Sequence, residues 1–513
     1  MQSDPLRRTT ILSVQPNASP SFLKRFAAAF AVLGMLAISG RADTWDTIQK
    51  TGILHWGNDA EGGAPYIYHP ADHTDQLTGF EVEFAEALAA KLGVHAEFVQ
   101  NNWDTLIPTL KDGSSIDVII AGLERSPENL GKIAMSRPYF IFAQQLVVRK
   151  EVTTITSLND LKGKRLAVLS ASGSHHLAEA AGGIDLKIYQ DNVNYFKDLE
   201  IGRVDAVLTD TPIAQVNLAE HPQLKGASAP FAPGYYAIGV RPADTNLLVK
   251  LNGAIGALLA DGTLQRIYTK YDLWDNGHNA LKDWKEEKSV AREQRSALKD
   301  WRKYLPLLLR ASVTTIWVTC AGMLLAALWG MGLALMRLYG PTPVRWLAVA
   351  YIEIFRGTPL LLQIYFIYFG LAQQFGIKLS AGAAAVLSLG LNYAATEAEN
   401  YRAGLQAVPK GQTEAALALG MSRWQSLRRV ILPQALRISL PSVTNDFIAM
   451  FKDSSIVSVI ALVELTKEYQ IRAMDTGDYI GMGLMTAAIY FVISYAASLG
   501  ARRIERRMHR DHR

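Results

Sequence analysis

The spacing of apolar residues changes several times along the chain, and each change predicts a different kind of element. Residues 26–39 form an uncharged apolar run behind Arg7, Arg8, Lys24 and Arg25. At about 14 residues this run has signal-peptide length and is short of the ~20 that cross a bilayer. Gly40-Arg41-Ala42 then supplies small residues for cleavage after Ala42. Residues 1–42 therefore read as a signal peptide or an uncleaved signal anchor, and the chain beyond Ala42 reads as exported. From 43 to 275, short apolar strands (52–57, 96–99, 117–121, 166–169, 205–208) alternate with helical spacing over Phe80–Leu92 and 103–110. That alternation predicts an α/β unit built on parallel sheet. Ligands bind such folds at the carboxyl ends of strands, which directs attention to the segments after Ala121, Leu169 and Leu208.

Residues 276–303 are charged and helix-favouring, and read as a solvated helical connector. From 304 to 513 the pattern is that of an all-α membrane domain. Its candidate spans are 305–336, 347–372, 380–398, 438–462 and 479–499, the fourth interrupted by Asp446, Lys452 and Asp453.

Composition fits the split. The 513 residues are 49% hydrophobic and only 19% charged, below the roughly 25% of a soluble domain. The net charge of +5 is not a nucleic-acid footprint, because the basic residues cluster beside the spans. One side of the membrane carries Arg337, Arg345, Arg402, Lys410, Arg423, Arg428, Arg429 and Arg437, with Arg502, Arg503, Arg506, Arg507, Arg510 and Arg513 after the last span. The other carries Lys378, Lys467 and Arg472 among Glu464, Glu468, Asp475 and Asp478. The basic side is expected to be cytoplasmic, with the C-terminus, which places 43–303 outside the cell in agreement with the export segment.

Cys320 is the single cysteine, so no disulfide framework or cysteine zinc site is expected. The adjacent His175-His176 pair is ill-placed to share a metal and reads as solvated. No metal, cofactor or catalytic residue is predicted.

The most informative stretch is Glu414-Ala415-Ala416-Leu-Ala-Leu-Gly420, followed after nine residues by Val430-Ile-Leu-Pro433. It resembles the EAA loop of ABC-importer permeases, with Val430 in place of the usual isoleucine. Small side chains at Ala415 and Ala416 make a thin helix that can dock in a groove, and Gly420 can release it into a turn. Tyr351-Ile-Glu-Ile-Phe-Arg-Gly-Thr-Pro-Leu360, Tyr401-Arg-Ala-Gly-Leu-Gln-Ala-Val-Pro-Lys-Gly411 and Phe451-Lys-Asp-Ser-Ser455 look like the polar-amino-acid permeases. Glu353 and Arg356, three residues apart, are placed to pair on one helix.

Residues 46–275 resemble the amino-acid periplasmic binding proteins through Gly79-Phe-Glu-Val-Glu-Phe84, Trp103-Asp-Thr-Leu-Ile-Pro-Thr-Leu110, Asp117-Val-Ile-Ile-Ala-Gly122, Ser136-Arg-Pro-Tyr139 and Gly202-Arg-Val-Asp-Ala-Val-Leu-Thr-Asp210. The resemblance implies two lobes around a ligand cleft, with hinge strands over 139–150 and 229–241. It also implies the ligand set. Trp103 takes an aromatic wall position, Asp210 the carboxylate that holds an α-amino group, and Gly173-Ser174 the pair that holds an α-carboxylate. Asp59, Tyr66, Gly122, Glu124 and Arg125 complete the expected set.

Three positions depart from the family pattern, the first being Gly63, where an aromatic residue would precede Ala64-Pro65. Asn129 stands where an arginine would clamp the carboxylate, and Glu124 replaces a hydroxyl residue. Either Arg125 turns inward as a substitute, or the ligand lacks a free α-carboxylate and is a cationic amine or an amino-acid derivative.

The chain has no Gly-x4-Gly-Lys-Ser/Thr phosphate loop. The expected role is thus the binding and permease subunit of an ABC importer for a polar amino acid or related amine. It would sit in the bacterial inner membrane, driven by a separate cytoplasmic ABC ATPase, with two copies of the chain as a homodimer. A ligand-gated channel or sensor with a similar outer domain is the alternative, and an enzyme on the same outer fold a third.

Overall fold

In a computed structural model the described residues are 44–60, 63–70, 76–113, 115–285 and 300–510, with no side chains for 501 and 504–510. The export segment expected at 1–42 and the connector over 286–299 lie outside them.

The outer unit is built on one nine-stranded sheet in the order β2-β1-β3-β9-β4-β7-β5-β6, with β8 off the path against β4. The strands are β1 (Ile53–Asn58), β2 (His95–Gln100), β3 (Val118–Ile119), β4 (Ala134–Arg149), β5 (Arg165–Leu169), β6 (Asp185–Tyr189), β7 (Ala206–Asp210), β8 (Leu224–Gly226) and β9 (Phe231–Val240). Parallel pairing holds within β2-β1-β3 and within β6-β5-β7. The sheet as a whole is mixed rather than parallel, because β4 and β9 run antiparallel to each other and to their neighbours. These two long strands are the hinge crossings, and they join two half-sheets into two lobes.

The helix Phe80–Leu92 ends as its sequence requires, with Gly93 left-handed at φ 75 and its amide bonded back to Ala90. Leu54, Phe80, Phe84, Leu88, Tyr139 and Tyr268 are almost wholly buried beneath it. The outer unit also runs past the expected boundary at 275. Asn276–Leu281 forms a short 3-10 helix capped by Asp275. His278 packs on Trp274 and Phe140, Leu281 is buried, and Arg137 donates to its carbonyl at 2.7 Å. This part of the connector is folded because its apolar residues have a surface to cover.

The membrane half is helical. Trp301–Tyr339 packs along Ala381–Ala407 through Gly322, Ala326, Gly330 and Ala334, all buried. Their spacing of four puts small residues on one stripe, so the two backbones approach closely. Only Trp301–Tyr339 and Tyr479–Gly500 are each long and apolar enough by themselves, among the described residues, to cross a membrane.

The run expected as one span over 347–372 is instead a bent pair, Thr342–Gly357 and Leu360–Phe375, turning by 109°. Thr358 before Pro359 is extended at φ −118, ψ 144, as a residue preceding proline prefers. Gln363 Nε2 donates to the freed carbonyls of Phe355 and Thr358, at 2.9 and 3.2 Å. Arg356 does not pair with Glu353: it lies 4.0 Å from Glu399 on the neighbouring helix, where Arg337 and Arg402 also converge.

Candidate functional site: a closed two-lobed cleft and its contacts with the membrane half

The carboxyl ends of β1, β3, β5, β6 and β7 surround a cavity of about 70 Å³. Its lining includes Asp59, Tyr66, Trp103, Gly122, Glu124 and Asp210, six of the nine expected ligand residues. Gly173 and Ser174 lie just behind the wall, and Arg125 lies elsewhere. Asn58, Ser172, Gln190, Asp191 and Asn192 also line the cavity and were not anticipated. Asn58 ends β1, which the apolar pattern closes one residue early, and Gln190 and Asp191 follow β6, a strand that pattern does not reveal, so the strand-end rule had no end to point from there.

Each side chain is fixed by its neighbours. Asp59 accepts from the Trp103 amide at 2.8 Å, which starts the Trp103–Thr105 turn, and the indole Nε1 reaches across to the Ser170 carbonyl at 3.1 Å. Gly122 is left-handed at φ 57 and its amide donates to Glu81 at 2.6 Å. Tyr66, in one lobe, bonds the Tyr236 hydroxyl at 2.7 Å, and Tyr236 donates to Asp210 in the other. Gln144 Nε2 also donates to Asp210 at 2.9 Å, while Ser174 Oγ donates to Gln144 Oε1 at 2.5 Å. Asp210 sits at a helix N-terminus yet makes no side-chain cap bond; its carboxylate turns to the cavity instead.

Glu124 closes the cleft from the other side. The Gly173 backbone, at the N-terminus of the helix Gly173–Ala181, lies directly against its carboxylate. A Cβ on Gly173 would overlap both Glu124 oxygens, so glycine is required for this approach. Arg125 does not turn inward: its guanidinium lies 5.4 Å over the Trp284 ring, and it lines a separate pocket with Arg137, Asn252 and Trp284. Adjacent residues on an extended segment face opposite ways, and Glu124 holds the inward position. Asn129 Nδ2 donates to the Glu124 carbonyl at 2.9 Å and brings no charge.

The electrostatics are those of an acidic site. Asp59, Glu124, Asp191 and Asp210 line the cavity, and no lysine or arginine is among the described lining residues. Burial raises the Glu124 carboxyl well above its ordinary range, the Asp210 charge raises it further, and the Gly173 amide opposes both. Asp210 is raised too, by burial, against hydrogen bonds from Tyr236 and Gln144.

Glu81 lies beneath the cleft and supports it. It accepts from Asn58 at 2.9 Å, from Gly122, and from Tyr139. Burial pushes it from 4.5 up to about 7, against those three bonds. A carboxyl raised on folding contributes stability that is complete below its unfolded pKa and is lost as pH rises through its folded pKa. The thermal midpoint of wild type minus that of Glu81→Gln is therefore expected to fall between pH 4.5 and about 7. A difference that rises over that window contradicts the assignment.

The His175-His176 pair is not solvated as expected. His175 is 1% exposed and accepts from the Ala171 amide at 3.2 Å, while His176 lies 3.7 Å from Asp475 of the membrane half.

That contact belongs to a larger one. The helix Leu465–Thr476 is capped by Glu464, which accepts from the amides of Thr466 and Lys467 at 2.9 and 2.7 Å. Lys467 is 1% exposed; burial pulls it down to about 8, against the opposing pull of Asp104, Asp191 and Glu464. Gln190 donates to Gln470 at 2.9 Å, Arg472 reaches Glu179 at 3.1 Å, and Tyr479 donates to the Asp104 carbonyl at 3.0 Å. Arg203 stacks 4.0 Å over Tyr368, whose hydroxyl donates to Asp198 at 2.8 Å. Asp104 belongs to one lobe and Glu179, Gln190 and Asp191 to the other, so one short segment of the membrane half touches both. Gln190 and Asp191 are themselves cleft-lining residues.

At the other end of the membrane half, Lys410–Ala418 is a helix that Gly420 terminates at φ 80. The Gly420 amide bonds Leu417 at 3.0 Å and the Met421 amide bonds Ala416 at 3.1 Å, the paired closure of a Schellman turn. Ser422 then opens the next helix by a capping box with Gln425. Glu414, Ala415 and Gly420 are exposed and Ala416 is buried against the body. Leu419 and Trp424 are 80% and 63% exposed beside them.

Two family descriptions match this chain: bacterial extracellular solute-binding proteins, family 3, over residues 55–273, and binding-protein-dependent transport system inner membrane component over residues 320–510. The glutamate/aspartate import permease protein GltK of Escherichia coli O6:H1 is 36% identical over 221 residues, 40% of this chain and 97% of that one. The glutamine transport system permease protein GlnP of Escherichia coli K12 is 36% identical over 207 residues, 40% of this chain and 94% of that one. Among solved structures, holo ArgBP from T. maritima is 31% identical, covers 44% of this chain and 99% of its own, and gives a TM-score of 0.40.

Proposed function

Because the chain belongs to the binding-protein-dependent transport system inner membrane component family and carries a family 3 extracellular solute-binding domain ahead of it, we propose that it works as a self-contained capture-and-passage subunit driven by a separate cytoplasmic ATPase. An amino-acid importer subunit of the ABC class, with binding protein and permease fused, follows from the matches themselves. Beyond that class, the reading assigns a polar amino acid or related amine to the cleft. It assigns the ATPase to the turn around Glu414, Ala415, Ala416 and Gly420. It places the outer unit outside the cell and the C-terminus in the cytoplasm, with five spans and two copies of the chain per transporter. The channel or sensor alternative gains no support from either match.

The observation that carries this reading is the helix Leu465–Thr476. In a closed cleft that helix bonds one lobe through Gln470 and Arg472, and Tyr479 just after it bonds the other, so closure and the membrane half are mechanically joined. Opening the lobes would separate Asp104 from Glu179 and Gln190 and break the bonds that Tyr479, Arg472 and Gln470 make to one side or the other.

Lys467→Ala is accordingly expected to lower ligand-stimulated ATP hydrolysis in reconstituted vesicles by about tenfold or more, since removing one member of a buried charge set costs several kcal/mol. Ligand affinity should change less than about threefold, because Lys467 does not line the cavity. Unchanged stimulation would remove this helix from the coupling path.

A further inference from the structure

We propose that the cleft takes a cationic amine with no free α-carboxylate, and that Glu124 is the residue that sets this preference. The inference rests on the importer reading and deepens it.

The place that the family resemblance assigns to a ligand carboxylate is the N-terminus of the helix Gly173–Ala181, where backbone amides and the helix dipole favour negative charge. Glu124 already holds that place, its carboxylate against the Gly173 backbone with no room for a side chain between them. Ser174, the next donor, gives its hydroxyl to Gln144. Ser172 donates to the Leu169 carbonyl at 2.8 Å and accepts from the His175 amide at 3.2 Å. A ligand carboxylate would therefore have to displace an internal one.

Nor does a cation await it. Arg125 stacks on Trp284, and Asn129 is spent on the Glu124 carbonyl. Lys467 faces Asp104 and Asp191 from outside the cavity lining. A ligand carboxylate beside Glu124 and Asp210 would bind only with uptake of a proton, since burial already raises both carboxyls, whereas a cation is met by both in their charged form. A cation, by contrast, finds Asp210 at one side and Glu124 at the other, with Trp103 and Tyr66 also in the wall. The internal carboxylate thus converts an amino-acid cradle into an amine cradle.

The test is equilibrium dialysis of the full-length chain in lipid nanodiscs. The probes are L-arginine, L-glutamine and L-glutamate against L-argininamide, L-glutamine amide, agmatine and putrescine. At least one amide or amine is expected to bind about 30-fold or more tighter than any plain amino acid, the scale of an uncompensated buried charge. In Glu124→Thr, which removes the carboxylate from the Gly173 backbone, that ratio should fall at least tenfold as plain amino acids gain and amines lose. If this variant fails to fold, the wild-type panel alone decides. A plain amino acid that binds wild type more tightly than every amide and amine, and is lost in Asp210→Asn, overturns the amine class and leaves the importer reading standing. Failure of every probe to bind overturns both.

Discussion

Asp210→Asn is expected to lose ligand affinity by about 100-fold, because truncating one partner of a buried charge-assisted pair costs roughly 2–5 kcal/mol. The variant keeps the shape of the site. Asparagine Oδ1 can still accept from Tyr236, and its amide nitrogen can donate to Gln144 once that amide turns over, with Ser174 Oγ then accepting from Gln144 Nε2. The helix Thr211–Glu220 loses no cap, since the Asp210 side chain makes none, and Pro212 in its first turn is undisturbed. Folding stability should therefore hold while binding collapses. The measurement is ligand titration alongside the thermal midpoint of the unliganded chain. An affinity within about threefold of wild type would show that Asp210 is structural.

Gly420→Trp is the second large effect. The glycine sits at φ 80, where a side chain costs roughly 1–2 kcal/mol, and no atom lies within 4 Å of where its Cβ would stand. The substitution thus meets no clash in the body of the protein. It strains the turn that ends the helix Lys410–Ala418 and puts a bulky ring beside Leu419 and Trp424, on the surface assigned to the ATPase. Ligand-stimulated ATP hydrolysis is expected to fall about tenfold or more, the scale of a lost interface anchor, while ligand affinity stays unchanged. Gly420→Ala, which keeps the strain without the ring, should fall between. Stimulation retained in Gly420→Trp would place the coupling surface elsewhere.

Much of the architecture was legible in the pattern of residues because local rules and tertiary packing agree. Phe80–Leu92 has helical spacing and a glycine stop, and forms over those residues. The apolar runs after 304 are helices, since a backbone in lipid must bond to itself. The errors have physical causes. The bent pair at Thr358-Pro359 reads as one apolar run because hydropathy carries no direction. Spacing offers Arg356 a partner on its own helix, whereas Glu399 is brought close only by packing. His175 looks polar and exposed in the sequence, but tertiary contact buries it.

The cleft divides in the same way. The positions that follow strands, Glu124 and Asp210 among them, could be read from strand ends. The direction in which Arg125 points could not, because it depends on Trp284, a residue more than 150 positions away in the chain. The contact of Gln190 with the helix Leu465–Thr476 joins two domains, and no periodicity encodes it.

The central claim is that one chain binds its ligand on one face of the membrane and passes closure to an ATPase on the other. Its most direct test is uptake of labelled ligand into vesicles that hold the chain and its cognate ABC ATPase, oriented with the α/β unit outward and loaded with ATP. Accumulation that needs enclosed ATP and is lost in both Asp210→Asn and Gly420→Trp, with ligand binding retained in the second alone, is the predicted result. Downhill flux of ligand or ions that proceeds without ATP, or accumulation that survives either substitution, would contradict it.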